Sequence, residues 1–465
     1  MEQLSYSVGP PEVQGLLMDD DTRAQVNRDM HLISKIARGI RLYAARGRNA
    51  DIIPIARTHG LNVVAGAWIG ANGAENALEL KALYQIISRY SYIRDVIVGN
   101  ETLLRKDLEP AALIDLLHKA RRKIRQPMST AETWDIWLAH PELVTAVDFI
   151  ALHVLPYWEG VDPDAAVAYA LARYEEVRKA YPGKRIVIAE FGWPSKGYNN
   201  READTGAIRQ AEVIRSFLHA VNDYGIEFNV IEAFDQPWKS HEGSVGAYWG
   251  LFDTDGNAKF PLLGEFRDAT FYPRLCLALA LGLFASVVVL ALVRSTIGHA
   301  LMISLACNAL STPLALALLY PMENYLNVGS AIAWVIGILL MVPLTLMTLV
   351  KVHEVADVTL GFAPRRLITG PSPTAETFHL PKVSIQIPAH RENPDVLIDT
   401  LNSVAKLDYP DFEVLVIINN TPEAALWQPV EAACRMLGPS FKFINLSGEP
   451  VAKLHHYTDV SSLTF

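Results

Sequence analysis

Cysteine is scarce: three residues in 465, too few for a disulfide framework. Cys276 and Cys307 lie in apolar runs and Cys434 stands far from both, so apolar packing accounts for them. Positive charge is not in excess either. The formal net charge is -9, which removes the basic footprint of a nucleic-acid binder. No glycine-rich phosphate turn opens the chain, no repeat of fixed period runs through it, and no His/Cys/Asp grouping has metal-ligand spacing. Met1–Ser5 lacks the basic start and apolar core of a secretory signal.

What is present divides the chain. Its length of 465 residues exceeds one ordinary core, so two or three domains are expected. The hydrophobic fraction of 51% is concentrated between residues 275 and 350. Residues 1–268 are mixed, residues 351–380 form a linker that is rich in Pro, Gly, Ser and Thr at 369–376, and residues 381–465 return to an α/β texture.

In the first segment eight candidate strands alternate with helical patterns: 4–8, 39–43, 62–69, 94–99, 127–131, 147–154, 185–189 and 229–233. The helical stretches between them include 21–37, 75–89, 110–123, 163–180 and 205–224. That rhythm predicts a (β/α)8 TIM barrel, an α/β fold. A doubly wound open sheet is the rival, disfavoured by the missing phosphate turn.

Three apolar runs follow, 275–293, 297–320 and 328–350. Each is long enough to cross a hydrocarbon core of roughly 30 Å. A lipid bilayer is therefore an expected partner. Arg294, Lys351, Arg365 and Arg366 fall on one side, and Arg267, Arg274 and Glu323 on the other. The positive-inside rule then puts the barrel outside and the C-terminal segment in the cytoplasm. The expected location is a bacterial inner membrane with a periplasmic barrel. Because Met1 falls almost on the first strand, export of that barrel is expected to need a leading segment or an upstream start.

The chemistry is carried by carboxylates. In Arg185-Ile-Val-Ile-Ala-Glu190-Phe-Gly-Trp193-Pro194-Ser195 an apolar strand runs into a glutamate and then a Gly-Trp-Pro turn. Asp95-Val-Ile-Val-Gly99-Asn100-Glu101 ends an earlier strand the same way. Active groups of such barrels sit at the C-terminal strand ends, and retaining glycoside hydrolysis needs two carboxyl groups about 5–5.5 Å apart. Glu190 is the expected nucleophile, and Glu101 the expected acid/base with a pKa raised by burial or by the Glu190 charge. Asn100 suits a sugar 2-hydroxyl. A solvated or ion-paired glutamate is the bland alternative for either residue alone; two in this context weigh against it.

These residues carry a resemblance. Val187-Ile-Ala-Glu190-Phe-Gly-Trp193-Pro194-Ser195 resembles the nucleophile signature of glycoside hydrolase family 17, the β-1,3-glucanases, and Val98-Gly99-Asn100-Glu101 resembles its acid/base strand. The resemblance covers roughly residues 4–265 and implies a barrel with the acid/base after strand four and the nucleophile after strand seven. The candidate strands, counted independently, put Glu101 and Glu190 at those ends. Phe191 departs from the small residue more usual after the nucleophile. The implied partner is a β-glucan, and the barrel itself is expected to need no cofactor and no metal.

Tyr43, Trp68, Tyr157 and Trp158 follow strands two, three and six, while Glu232, Phe234, Asp235, Gln236, Trp238 and Lys239 follow strand eight. Ring faces can stack on pyranose C–H surfaces while polar edges bond hydroxyls. Core packing is the alternative for each one. Trp193 and Trp238 are the strongest individual candidates, and His153 is expected to be a hydrogen-bonded strand residue.

Lys382-Val-Ser-Ile-Gln-Ile-Pro388, a helix from Pro394 and a strand at 412–418 form a β-α-β pattern that resembles the start of a family 2 glycosyltransferase, a partial GT-A-like, Rossmann-type fragment. Ile418-Asn419-Asn420-Thr421 stands where that family has an aspartate, and its Asp-x-Asp and Gln-x-x-Arg-Trp motifs are missing. Residues 449–457 stand where a Lys-Ala-Gly-Ala-Leu-Asn-like run belongs. A truncated or frameshifted reading frame is expected. A nucleotide-sugar and divalent metal would be needed only by an intact transferase. The leading reading is a retaining β-1,3-glucan hydrolase or transglycosylase; a truncated membrane glucan synthase and a decayed glucan-binding protein are its rivals.

Overall fold

A computed structural model describes residues 1–10, 16–268, 270–293, 295–360 and 381–446. The linker basic residues Arg365 and Arg366, together with Arg294 and the 449–457 run, lie outside the described residues. The chain falls into two compact units divided between Ala356 and Asp357.

Eight parallel strands close into a barrel in simple chain order. They are β1 (Gln3–Ser5), β2 (Gly39–Arg41), β3 (Asn62–Ala67), β4 (Asp95–Asn100), β5 (Met128–Thr133), β6 (Phe149–His153), β7 (Arg185–Phe191) and β8 (Glu227–Val230). Closure is made by β1 against β8, with Gln3 opposite Asn229 and Leu4 opposite Val230. The surrounding helices are α1 (Asp20–Ser34), α2 (Arg48–Thr58), α3 (Gly73–Arg89), α4 (Pro110–Arg121), α5 (Trp134–Ala139), α6 (Ala166–Ala180) and α7 (Ala207–Tyr224). Local chemistry sets their ends. Asp19 caps α1 by accepting the Thr22 N–H at 2.7 Å, Asn72 caps α3, and α7 stops at Gly225 in the left-handed region.

The barrel has two cores. Strand residues that point outward, such as Ile40, Val63, Val96, Ile150 and Ile188, pack with helix residues such as Met30, Leu83, Leu117 and Phe217. Inward residues Val64, Ile97, Ala131, Phe149, Ala151 and Ala189 fill the lumen as a separate cluster. Phe191 belongs to the outer layer, stacked on Phe217 with centroids 3.7 Å apart. Its bulk therefore falls on the helix side of β7, away from the glutamate before it. At the floor of the barrel Arg185 pairs with both oxygens of Asp95 at 2.8 and 2.9 Å and with Glu227 at 2.8 Å, tying β4, β7 and β8 together.

Several expected boundaries move. Helix α2 carries Pro54 inside it, and α5 is only six residues long. The 163–180 helix opens with a 3-10 turn at Pro163–Ala165. Strand β8 ends at Val230, three residues before the expected end.

Helices α8 (Phe271–Leu292), α9 (Ile297–Glu323) and α10 (Val328–Thr359) are each long and apolar enough to cross a membrane. Gly282 on α8 lets the backbone and side chain of Asn308 approach where a Cβ would collide, and Ser311 donates to the Ala278 carbonyl at 2.7 Å. Small residues at such a seam replace the hydrophobic effect with close packing. The second run was expected to stop at Tyr320, yet α9 continues through Pro321. Proline leaves the carbonyl four residues back without its helical donor; that carbonyl belongs to Ala317, and the Trp334 indole N–H donates to it at 2.7 Å. Helix α10 likewise outruns its apolar stretch by nine residues, from Val350 to Thr359.

The second unit is a parallel sheet in the order β11-β10-β9, formed by β9 (Val383–Ala389), β10 (Phe412–Ile418) and β11 (Phe441–Asn445). Helices α11 (Pro394–Val404) and α12 (Ala424–Leu437) pack on it around Leu401, Val414, Val416 and Val430. The β-α-β pattern expected from sequence is present, and α12 with β11 extends it.

A β-carbon added at Gly66 would collide with the Leu42 carbonyl oxygen and the Tyr43 backbone on the neighbouring chain segment. Gly66→Ala is expected to cost about 1–3 kcal/mol, read as a lowered thermal midpoint of the full chain in detergent.

Candidate active site

The two candidate carboxylates come together at the C-terminal mouth. Glu101 directly follows β4 and Glu190 lies on β7. Their ligand oxygens and a nitrogen of His153 lie within 4.8 Å of one another. Strand irregularities aim them. Between Ile97 and Asn100, β4 carries one more residue than β5, and β7 carries an extra residue against both β6 and β8 just before Glu190 and Phe191. Bulges of this kind re-aim side chains. Gly99 (φ +91°) and Glu101 (φ +52°) both take left-handed backbone, so the chain turns sharply enough to bring Asn100 and Glu101 to the same cavity.

A histidine and an arginine hold the pair. His153, buried on β6, places Nδ1 2.8 Å from Glu101 and Nε2 3.3 Å from Glu190. Arg41, buried on β2, donates to Glu190 at 3.2 Å, to the Ala189 carbonyl at 2.7 Å and to Asn100 Oδ1 at 2.6 Å. With Oδ1 taken, the amide nitrogen of Asn100 is the group left to meet a substrate. The expectation that Glu101 has a raised pKa is corrected here. Burial does push it up, but the hydrogen bond and charge of His153, with Arg105 and Arg41, outweigh burial and lower it. By spacing alone, Glu101, His153 and Glu190 could hold a metal ion. Arg41 already supplies positive charge against Glu190, so the donor set fits an added cation poorly.

The pair opens into a cavity of about 1150 Å³. Of the sequence candidates, Tyr43, Trp68, Asn100, Glu101, Glu190, Gln236 and Trp238 line it. Trp158 does so too, 48% exposed. Trp193, Tyr157, Glu232, Phe234 and Asp235 do not. Trp193 is fully buried and donates its indole N–H to the Asp204 carbonyl at 2.9 Å. Tyr157 bonds the Tyr198 carbonyl and sets its ring edge-on to Trp158 and Trp249, so it backs the wall. Glu232 is buried behind Gln236 and Lys239, both of which donate to it; burial pushes its carboxyl up to about 7.

Arg41, a lone charge inside an apolar strand, was not singled out from the sequence, whereas His153 is the hydrogen-bonded strand residue expected. Trp134 and Trp249 on the cavity wall were missed as well. Glu132, at the end of β5, is buried and accepts the N–H groups of Leu103 and Leu104 at 2.8 and 3.3 Å, fixing the turn that starts at Glu101. Burial raises its carboxyl to about 7.

Residues 14–250 match the model of the BtgE/BtgC glycoside hydrolase domain. Among curated proteins, the glucan 1,3-beta-glucosidase of Schizosaccharomyces pombe is 28% identical over 280 residues, 56% of this chain and 86% of that protein. A btgC protein of Aspergillus niger is 27% identical over 268 residues, 50% of this chain and 39% of that one. The match therefore spans about two fifths of the Aspergillus relative. Among solved structures, a Rhizomucor miehei beta-1,3-glucanosyltransferase, an active-site mutant in complex with laminaritriose, aligns with TM-score 0.50 and 25% identity over 57% of this chain and 96% of that chain.

Arg41→Met leaves the carboxylate cluster one positive charge short. The expected loss is about 3–5 kcal/mol at pH 8 and less at pH 5, where protonation relieves the excess negative charge; thermal midpoints of full-length protein at the two pH values check it.

Proposed function

The chain belongs to the BtgE/BtgC glycoside hydrolase family through residues 14–250, and from that premise we propose that its barrel is a retaining β-1,3-glucan hydrolase or transglycosylase. The observation that carries the reading is the Glu101–Glu190 pair, with oxygens within 4.8 Å at the foot of a large cavity rimmed by tryptophans. Such closeness suits direct attack by one carboxylate and leaves no room for the intervening water of an inverting enzyme.

Glu190 attacks the anomeric carbon while Glu101 gives its proton to the departing glycosidic oxygen. A covalent glycosyl-enzyme on Glu190 results. His153 and Arg41 stabilise the carboxylate that Glu101 becomes, so the same contacts that lower its pKa make it a stronger acid once protonated. Arg41 holds Glu190 in line. Asn100, anchored by Arg41, offers its amide to the sugar. In the second half-reaction Glu101 takes a proton from the acceptor, water for hydrolysis or a glucan hydroxyl for transfer, and the bond to Glu190 breaks. Trp68, Trp158 and Trp238 supply apolar faces for neighbouring sugar rings.

The three apolar helices support a membrane-bound protein with the bilayer as partner; the distribution of basic residues supports our reading of the barrel as periplasmic and the C-terminal unit as cytoplasmic at a bacterial inner membrane. The parallel β-α-β unit of residues 383–445 supports kinship with a family 2 glycosyltransferase.

Full-length protein in detergent, given laminari-oligosaccharides, is expected to yield products longer than the donor if it transfers and shorter ones if it hydrolyses. Unchanged substrate would remove the reading. Glu190→Gln is expected to abolish turnover. Glu101→Gln should slow natural substrates strongly yet spare glycosyl-enzyme formation from dinitrophenyl glycosides, whose leaving group needs no proton; equal losses on both substrates would exclude Glu101 as the acid. His153→Asn removes the group that lowers Glu101, so the basic limb of the kcat/KM profile, which reports the protonated acid, should move to higher pH.

A further inference from the structure

The turn between α9 and α10 belongs to the apolar helices, yet its polar groups are engaged by the barrel. The Tyr325 ring lies against Tyr248, with centroids 5.2 Å apart and planes 20° from parallel. Its backbone N–H donates to the Tyr248 hydroxyl at 2.9 Å. Its own hydroxyl donates to Asp235 Oδ2 at 3.2 Å and accepts the Thr254 N–H at 3.3 Å. Just before it, the carbonyl of Glu323 accepts from Lys196, and the Glu323 carboxylate pairs with Arg274 on α8 at 3.0 and 2.6 Å. Lys196, Asp235, Tyr248 and Thr254 all lie on the loops after β7 and β8, the same end of the barrel as Glu101 and Glu190.

Asp235 is buried. Its Oδ1 accepts from Lys259 Nζ at 2.7 Å and from the Gly250 N–H at 2.9 Å. Lys259 also donates to Ser195 Oγ at 2.7 Å and to the Tyr248 carbonyl at 3.2 Å. This network bonds the loop after β7 to the loop after β8, and two residues next to its members in sequence, Gln236 and Trp249, line the cavity. Tyr325 completes it by satisfying the second oxygen of Asp235. A buried carboxylate oxygen deprived of its donor is costly, and the shift that repairs the loss falls on the Asp235–Gln236 and Tyr248–Trp249 segments.

We propose that Tyr325 is a positioning residue for glucan binding, and that the α9–α10 turn is a strut holding the β7–β8 rim of the cleft in its binding shape. The proposal rests on the glucan-cleaving reading of the barrel. Tyr325 touches no reacting atom; it acts through Asp235 and Tyr248 on Gln236 and Trp249. A chain seated in the cleft is then processed beside the ends of the apolar helices, with those helices as part of the enzyme.

The test uses the full chain in detergent micelles. Tyr325→Phe keeps the ring and loses the hydroxyl bond; Tyr325→Ala loses both. Laminari-oligosaccharide KM should rise about two- to tenfold in the Phe variant, the worth of one hydrogen bond, and further in the Ala variant. Both should keep kcat within about twofold of the parent, because the reacting groups are untouched. Unchanged KM in both variants, or a fall in kcat that tracks a lowered thermal midpoint, would overturn the positioning role. Contact is tested separately by Lys196→Cys with Asn324→Cys, in a background where Cys276, Cys307 and Cys434 are replaced by serine, treated with a short bis-maleimide. Efficient intramolecular cross-linking is expected, and its absence removes the strut even if the barrel proves inactive. A cross-linked protein without glucan activity would keep the strut and sink the glucan reading, and with it the positioning role.

Discussion

Two carboxylates cannot stay ionised side by side in a buried pocket unless positive charge lies between or behind them. The mouth of this barrel is organised around that constraint. Arg41, itself wholly buried, reaches from β2 across the lumen to Glu190, Asn100 and the β7 backbone, and His153 spans the gap to Glu101. Four strands, β2, β4, β6 and β7, are thereby bonded through one cluster. Arg41 and Glu190 are held by hydrogen bonds as well as by charge, the condition under which buried ions are tolerated. The same arrangement explains why Glu101, although buried, is a lowered and not a raised acid.

The architecture was largely legible in the sequence because its signals are periodic. Apolar strand cores such as Val96–Val98 and Ile186–Ile188 stand between amphipathic helices, and closed parallel sheets reward that alternation with two separate cores. The apolar helices were legible by length alone. Boundaries were less so, where a partner in space overrides a local stop signal. Pro321 does not end α9 because Trp334, thirteen residues on, supplies the donor that proline lacks.

Within the site, legibility followed strand position. Glu101 and Glu190 could be picked out because each closes an apolar strand, and the strand ends of a barrel converge. The aromatic residues were harder to read. Trp193 sits three residues after Glu190 in sequence, but the turn after β7 carries it into the core, where the Asp204 carbonyl takes its N–H. Trp249, some sixty residues from Glu190, reaches the cavity instead. No linear pattern distinguishes a tryptophan that faces a ligand from one that faces its own fold, since both need an apolar face and a single N–H partner. Arg41 and Glu132 fall in the same class: their roles depend on strands that are neighbours only after the barrel has closed.

The bulges in β4 and β7 carry a broader implication. Each of the two glutamates is aimed by an irregularity inside a hydrogen-bonded strand. The outer parts of the rim loops can therefore change in length without displacing these carboxylates, provided the turn at Glu101 that Glu132 fixes is kept. Choice of acceptor and of chain length can diverge quickly in such a scaffold, while the bond-breaking step stays the same.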